Sequence, residues 1–146
     1  MATFQKFQPF VQALAHGTHV LTVSGGHTLK VMLTNTQPAA SAANVSELTE
    51  ITAKNGYVAG GNTAVISSSA QTSGTYRLIL SDPSSWTATA ADDATGIGPF
   101  RWACLYNVTS GGHLVGFWDY GSNVTLSEGE SFLVDFNASL GVLTLI

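Results

Sequence analysis

The chain is short of charge. Lys, Arg, Asp and Glu make up 10% of it, where a globular domain usually carries about a quarter. The fixed positives, Lys6, Lys30, Lys54, Arg77 and Arg101, are scattered, and the net charge is −4. A surface that tracks phosphates needs clustered Lys and Arg, so direct nucleic-acid binding is not expected. Cysteine is nearly absent. Cys104 stands alone, which excludes an internal disulfide, and its place between Ala103 and Leu105 in a strand pattern marks a buried small hydrophobe. No apolar run approaches the ~20 residues of a membrane helix. The N-terminus lacks the basic end and apolar run of a signal peptide. The expectation is a protein made in a reducing cytoplasm, with no membrane partner.

Catalytic vocabulary is sparse too. There is no Gly-x-Ser-x-Gly elbow, P-loop or dinucleotide fingerprint. Of the four histidines, His16 and His19 are separated by Gly17, while His27 and His113 lie in glycine-rich turns. Without cysteine pairs or a His-Glu motif they read as polar turn residues, and no metal or cofactor is expected. Asp92-Asp93 reads as a solvated loop, since calcium would need more oxygens in a spaced pattern. Asp119, between Trp118 and Tyr120, is expected to pair with Arg101 or cap backbone amides. An acid catalyst would need a second placed carboxylate. The chain therefore reads as a non-enzyme. Asn44, Asn107, Asn123 and Asn137 each open an Asn-x-Ser/Thr triplet. Without a secretion signal these are turn and strand-end residues.

What is abundant points to β structure. Ser and Thr supply 32 residues and Gly another 15, against 45% apolar residues. A hydroxyl-rich, β-branched chain of 146 residues suits one all-β domain that buries roughly 68–70% of its unfolded surface. Neutral surfaces also suit a permanently assembled protein, because few charges must be desolvated at its contacts. Residues 1–8 read as an extended arm. Pro9 at the first helical position, with Phe10, Val11 and Leu14 on one stripe, predicts a short helix over 9–16 that stops at Gly17. Phe4 and Phe7 must be covered, by this domain or by a neighbouring subunit. Short strands are expected at 19–23 and 28–35, and a single turn from Ser46 through Ile51. Strands 62–68 and 75–81 should form a hairpin, followed by Trp86–Ala90.

The longest patterned stretch is 98–146. Phe100, Trp102, Cys104 and Tyr106 alternate with Arg101, Ala103 and Leu105. Ser110-Gly111-Gly112 is turn chemistry, and 114–120 runs back, broken at Gly121-Ser122-Asn123. Further strands at 131–137 and 142–146 would complete an antiparallel meander with both faces apolar. The reading is a single antiparallel β-sandwich over 9–146, in its jelly-roll version or another, with one short N-terminal helix. Trp86, Trp102, Trp118 and Tyr120 have the flat faces on which sugar rings stack, although period-two aromatics are by default core.

Several segments carry a resemblance. Thr28-Leu29-Lys30-Val31-Met32-Leu33-Thr34-Asn35-Thr36 is similar to a TLKVALTNT segment near the start of a group of small tailed-phage structural proteins, and Gly56-Tyr57-Val58-Ala59-Gly60-Gly61 resembles their GYxAGG turn. Gly98-Pro99-Phe100-Arg101-Trp102, Leu105-Tyr106-Asn107, 114–121 and Gly141-Val142-Leu143-Thr144-Leu145 resemble their C-terminal half. The likeness covers most of the chain from about residue 4, in order. It implies a virion component and carries no catalytic site across. The expectation built on it is a capsid decoration (cement) protein on the outer head surface, made in the host cytoplasm. It would bridge major capsid protein subunits as a homo-oligomer, a trimer at local three-fold points being one fit. A tail fibre, tip or completion module, binding a host-surface glycan, is the alternative. The expected contacts are Thr3, Phe4, Phe7 and Phe10 of the N-terminal stretch, and Ala39, Ala40 and Ala42 of the alanine-rich loop.

Overall fold

The computed structural model describes residues 2–89 and 96–146. Asp92 and Asp93 lie outside the described residues. Along the chain run β1 (Gln5–Lys6), α1 (Gln8–Ala15), β2 (Leu29–Thr34), β3 (Asn62–Ala64), β4 (Ile66–Thr72), β5 (Thr75–Leu80), β6 (Trp86–Thr87), β7 (Ile97–Asn107), β8 (His113–Leu126), β9 (Ser131–Phe132) and β10 (Leu143–Leu145). Their pairings are antiparallel and make sheets ordered β1-β8-β7-β2-β3, β10-β5-β4 and β6-β9. The fold is all-β and sandwich-like, with one short helix.

Its centre is the β7–β8 hairpin with β2 on the other side of β7. Every residue of β2 but Lys30 is buried, as is every residue from Trp102 to Asn107 of β7. Successive side chains point to opposite faces, so these strands are covered on both. Lys30 and Arg101 are the residues there that stay partly exposed within otherwise apolar runs.

α1 begins where Pro9 needs no hydrogen-bond acceptor and ends at His16, with Gly17 at φ +75°. Phe10 is buried and the helix packs against β8. The stretch expected as an arm is tied down, because Gln5 lies opposite Phe117 and Lys6 opposite Gly116. Phe4 and Phe7 are three positions apart and so take opposite faces. Phe4 meets Trp118 with ring centroids 5.1 Å apart, and Phe7 meets Phe117 at 5.0 Å. Gly116 makes room for the first of these contacts, since a Cβ there would overlap the Phe4 ring.

The long meander expected over 98–146 stops after its first hairpin. β7 starts at Ile97, and β8 runs unbroken through Gly121-Ser122-Asn123 to Leu126, opposite Ile97 and Phe100. On its other edge β8 is paired with β1 at Gly116 and Phe117, and 131–137 does not join that sheet. Ser131–Phe132 pairs with β6 instead, and β10 with β5. Other expectations shift locally. Residues 19–23 are loop. The turn at 46–51 is a 3-10 turn, Val45–Glu47, whose cap is Asn44: its side chain accepts from the Ser46 amide, while Glu47 accepts from the Asn44 amide. Glu47 also accepts the Ala43 amide, and the Ala43 and then the Asn44 amide hold its carboxyl below the usual range. The β4–β5 hairpin is tighter than expected, turning at Ser73-Gly74, both with positive φ. Asn62–Ala64 leaves that hairpin to pair with β2.

Cys104 has no exposure, and burial pushes its thiol pKa well up. The native protein is therefore expected to leave an aromatic disulfide reagent unreacted at mildly alkaline pH, and to release one equivalent of thiol per chain only after unfolding. Rapid labelling of the folded state would contradict this packing.

Candidate binding groove

The described residues hold a cavity of about 370 Å³, apolar for most of its lining and open on one side. That volume lies within the range of small-ligand pockets, roughly 300–1,000 Å³. Four regions of chain converge on it: the N-terminal stretch, Leu33 of β2, the middle of β7 and β8, and the segment from Phe132 to Val142. β7 and β8 present aromatics at alternate positions, Phe100 and Trp102 on one, Trp118 and Tyr120 on the other. Phe4 closes one end against Trp118, and Trp118 in turn meets Phe136 at 5.5 Å. At the other end Phe132 stands edge-on to Phe100 at 4.8 Å and to Tyr120 at 5.8 Å. Tyr120 is 58% exposed, Leu133 47% and Leu140 60%, so the rim is apolar as well as the floor.

Asp135 and Asn137 are polar residues of the lining, and beside the groove lies a forked pair of which Arg101 reaches the lining. The Arg101 Nε donates to Asp119 Oδ1 at 2.7 Å and its Nη2 to Oδ2 at 2.9 Å, in the bidentate geometry that suits guanidinium and carboxylate. The pairing expected between these residues is present. Asp119 Oδ1 also accepts the Gly121 amide at 2.8 Å. The guanidinium, and after it that amide, holds the Asp119 carboxyl below its usual range, and the same pair raises Arg101. Arg101 lies over the Trp102 ring at 4.8 Å. The charges of this pair satisfy each other, and the carboxylate among the residues that line the groove is that of exposed Asp135. The groove is built to receive apolar or planar groups.

The expected contact residues divide. Thr3, Ala39 and Ala40 are exposed, and Phe4 is partly so at the groove. Phe7, Phe10 and Ala42 are at most 3% exposed and are enclosed by this chain's own core, so they offer no surface to a partner. The reason is pairing. Once β1 joins β8, the next turn of chain carries Phe7 and Phe10 beneath α1, and the Gln8 amide binds the Ala40 carbonyl at 2.8 Å. Of the four aromatics weighed as a sugar platform, Trp86 is 1% exposed between Tyr57 and Phe132. Trp102, Trp118 and Tyr120 line the groove. The rim residues Leu133 and Leu140 are not singled out by the sequence pattern. Their apolar character outside the period-two set Phe132, Val134 and Phe136 is the one signal that could have found them.

Among the described residues, no group of three or more His, Cys, Asp or Glu side chains is arranged to hold a metal ion, and no helix is long and apolar enough to cross a membrane. Set against protein-family models, curated proteins and solved structures, the chain matches none of them.

Proposed function

We propose that this protein is a structural component of a tailed-phage virion, a decoration (cement) protein that binds the major capsid protein on the outer surface of the head. The observation that carries the reading is the aromatic groove with its exposed apolar rim, Tyr120, Leu133 and Leu140, on a chain in which 10% of residues are charged. Ala2 and Phe4 extend the same surface. Burying such a rim gains roughly 25 cal/mol per Å² of apolar area, with few charges to desolvate. On a lattice, many copies turn a modest contact into large collective stability. A homo-oligomer, a trimer on local three-fold points, fits that use.

Purified protein mixed with undecorated expanded heads and, separately, with tails should sediment with the heads. Replacing Tyr120 and Leu140 by aspartate should weaken that binding about tenfold or more, the scale of losing interface anchors, while the near-ultraviolet circular dichroism of the domain is unchanged. Sedimentation with tails alone would sink the cement assignment. It would favour a second reading, supported by half-buried Trp118 and exposed Tyr120 at the groove: a tail-associated module that stacks a host-surface glycan on those faces.

A further inference from the structure

Asn107 ends β7 with its side chain fully buried. Its amide orientation is fixed by the backbone: Oδ1 accepts the Ser110 N–H at 3.1 Å, and a flipped amide would set its NH₂ against that donor. Nδ2 therefore faces two imidazoles, 3.0 Å from His19 Nδ1 and 3.0 Å from His27 Nδ1. Its two hydrogens serve both. Each Nδ1 is thus an acceptor, and each ring is neutral with its proton on Nε2. His113 is the opposite tautomer, its Nδ1 donating to the Ser110 carbonyl at 2.7 Å. The chain separates these groups: His19 and His27 belong to the loop between α1 and β2, and Asn107, Ser110 and His113 to the β7–β8 turn.

We propose that this junction is an acid-sensitive latch: a proton on Nδ1 of His19 turns acceptor into donor against the Asn107 NH₂, and the 18–28 loop lifts off the β7–β8 turn while the sheets stay folded. The surroundings favour the neutral rings. His19 is 6% exposed, and its Nε2 meets no acceptor to stabilise a charged ring. From the hairpin His113 faces it edge-on at 6.3 Å, and from its own loop His27 adds a second basic group. α1 contributes the Phe10 ring at 5.0 Å and has no charged residue between Gln8 and Ala15. Glu47, in the 3-10 turn beside the hairpin, is held by the Ala43 and Asn44 amides. Burial first, then His113 and His27, lowers the His19 pKa to about 4. The closed latch is therefore fully favoured above about pH 6.5, the ordinary histidine value, and weakens as pH falls toward 4. Opening would uncover Phe10 and Leu21.

Hydrogen exchange of the full chain, corrected for intrinsic rates, tests this. Between about pH 7.5 and 5, amides of 18–28 should lose protection roughly 30-fold, the change that a group moved from 6.5 to about 4 imposes, while β2 and β7 keep theirs. Asn107→Asp keeps an acceptor for Ser110 but now prefers protonated Nδ1, so its loop should be better protected at about pH 5.5 than at 7.5. The double variant His19→Asn, His27→Asn keeps acceptors without basicity and should lose the acid step. Should a variant fail to fold, the wild-type tautomers decide: long-range ¹H–¹⁵N spectra should place the proton on Nε2 of His19 and His27 and on Nδ1 of His113. Unchanged loop protection, a loss spread evenly over the chain, or a proton on Nδ1 of neutral His19 or His27 would overturn the proposal.

Discussion

Replacing Phe7 by alanine is expected to cost the folded protein about 3–5 kcal/mol, the range for emptying a buried phenylalanine site. For a domain of this size that is a fall in Tm of roughly 10 °C. The side chain has no exposure, stacks on Phe117 at 5.0 Å, and sits at the junction of β1 and α1, where its amide binds the Val115 carbonyl at 3.2 Å. Its loss leaves a hole that neither β8 nor α1 can close without giving up pairing. Exposed Thr3, four residues earlier, should change stability by no more than about 0.5 kcal/mol when made alanine. Urea unfolding of the two variants separates the readings of this segment. A mild Phe7→Ala, equal to Thr3→Ala, would return Phe7 to the surface as a contact awaiting a partner.

Gly61→Ala should be comparably damaging, by about 3–5 kcal/mol, through backbone. Gly61 has φ +68°, and a Cβ there would overlap the Val31 carbonyl oxygen and lie 2.7 Å from its carbon and 2.9 Å from Met32 Cα. A left-handed alanine costs on the order of 1–3 kcal/mol, and forced overpacking adds about as much. β2 cannot yield, because Val31 is paired with Asn62 on one side and Leu105 on the other. The turn cannot yield either. Glu50 Oε1 accepts the Gly60 amide and the Tyr57 hydroxyl, each at 2.6 Å, and the Tyr57 oxygen accepts the Leu33 amide at 3.0 Å. The Tyr106 hydroxyl donates to the Gly60 carbonyl at 2.7 Å. Gly74→Ala is the control: φ is +83° there but the space is open, so only the conformational cost of about 1–2 kcal/mol applies. Equal midpoint shifts in urea for the two variants would contradict the close approach.

Features written in neighbouring residues are legible in the sequence. Pro9 and Gly17 bound α1, Gly111-Gly112 turns the β7–β8 hairpin, and period two sets out β2 and β7. Arg101 and Asp119 meet because the strands that carry them pair. What cannot be read there depends on which edge is already taken. That β1 closes β8 is decided by two residues, Gln5 and Lys6, too few for any periodic signal. β9 and β10 pair with β6 and β5, outside the sheet that holds β8, and the groove opens between Trp118, Phe132 and Phe136. The aromatics of the site are visible as a set, but their half-exposure follows from that detour. His19 and His27, in the loop between α1 and β2, meet through Asn107 on the far side of the sequence, with His113 edge-on to His19. An Asn beside a turn gives no hint of it.

The proposed role needs a rigid body with an apolar face, and the molecule divides along those lines. β2 and β7 from Trp102 to Asn107, covered on both faces, hold the frame, while the stretch from Leu133 to Leu140 and the Phe4 end of the N-terminal segment form the rim. The Arg101–Asp119 pair beside the groove satisfies its charges internally, and the carboxylate of the lining, Asp135, is exposed.

Cryo-electron microscopy of expanded heads incubated with the purified protein tests the central claim most directly. Added density on the outer capsid surface, fitted by this domain with Tyr120, Leu133 and Leu140 against the shell or a sister subunit, is the predicted result. Bare heads at saturating protein, or bound domains whose groove faces open solvent, would contradict it.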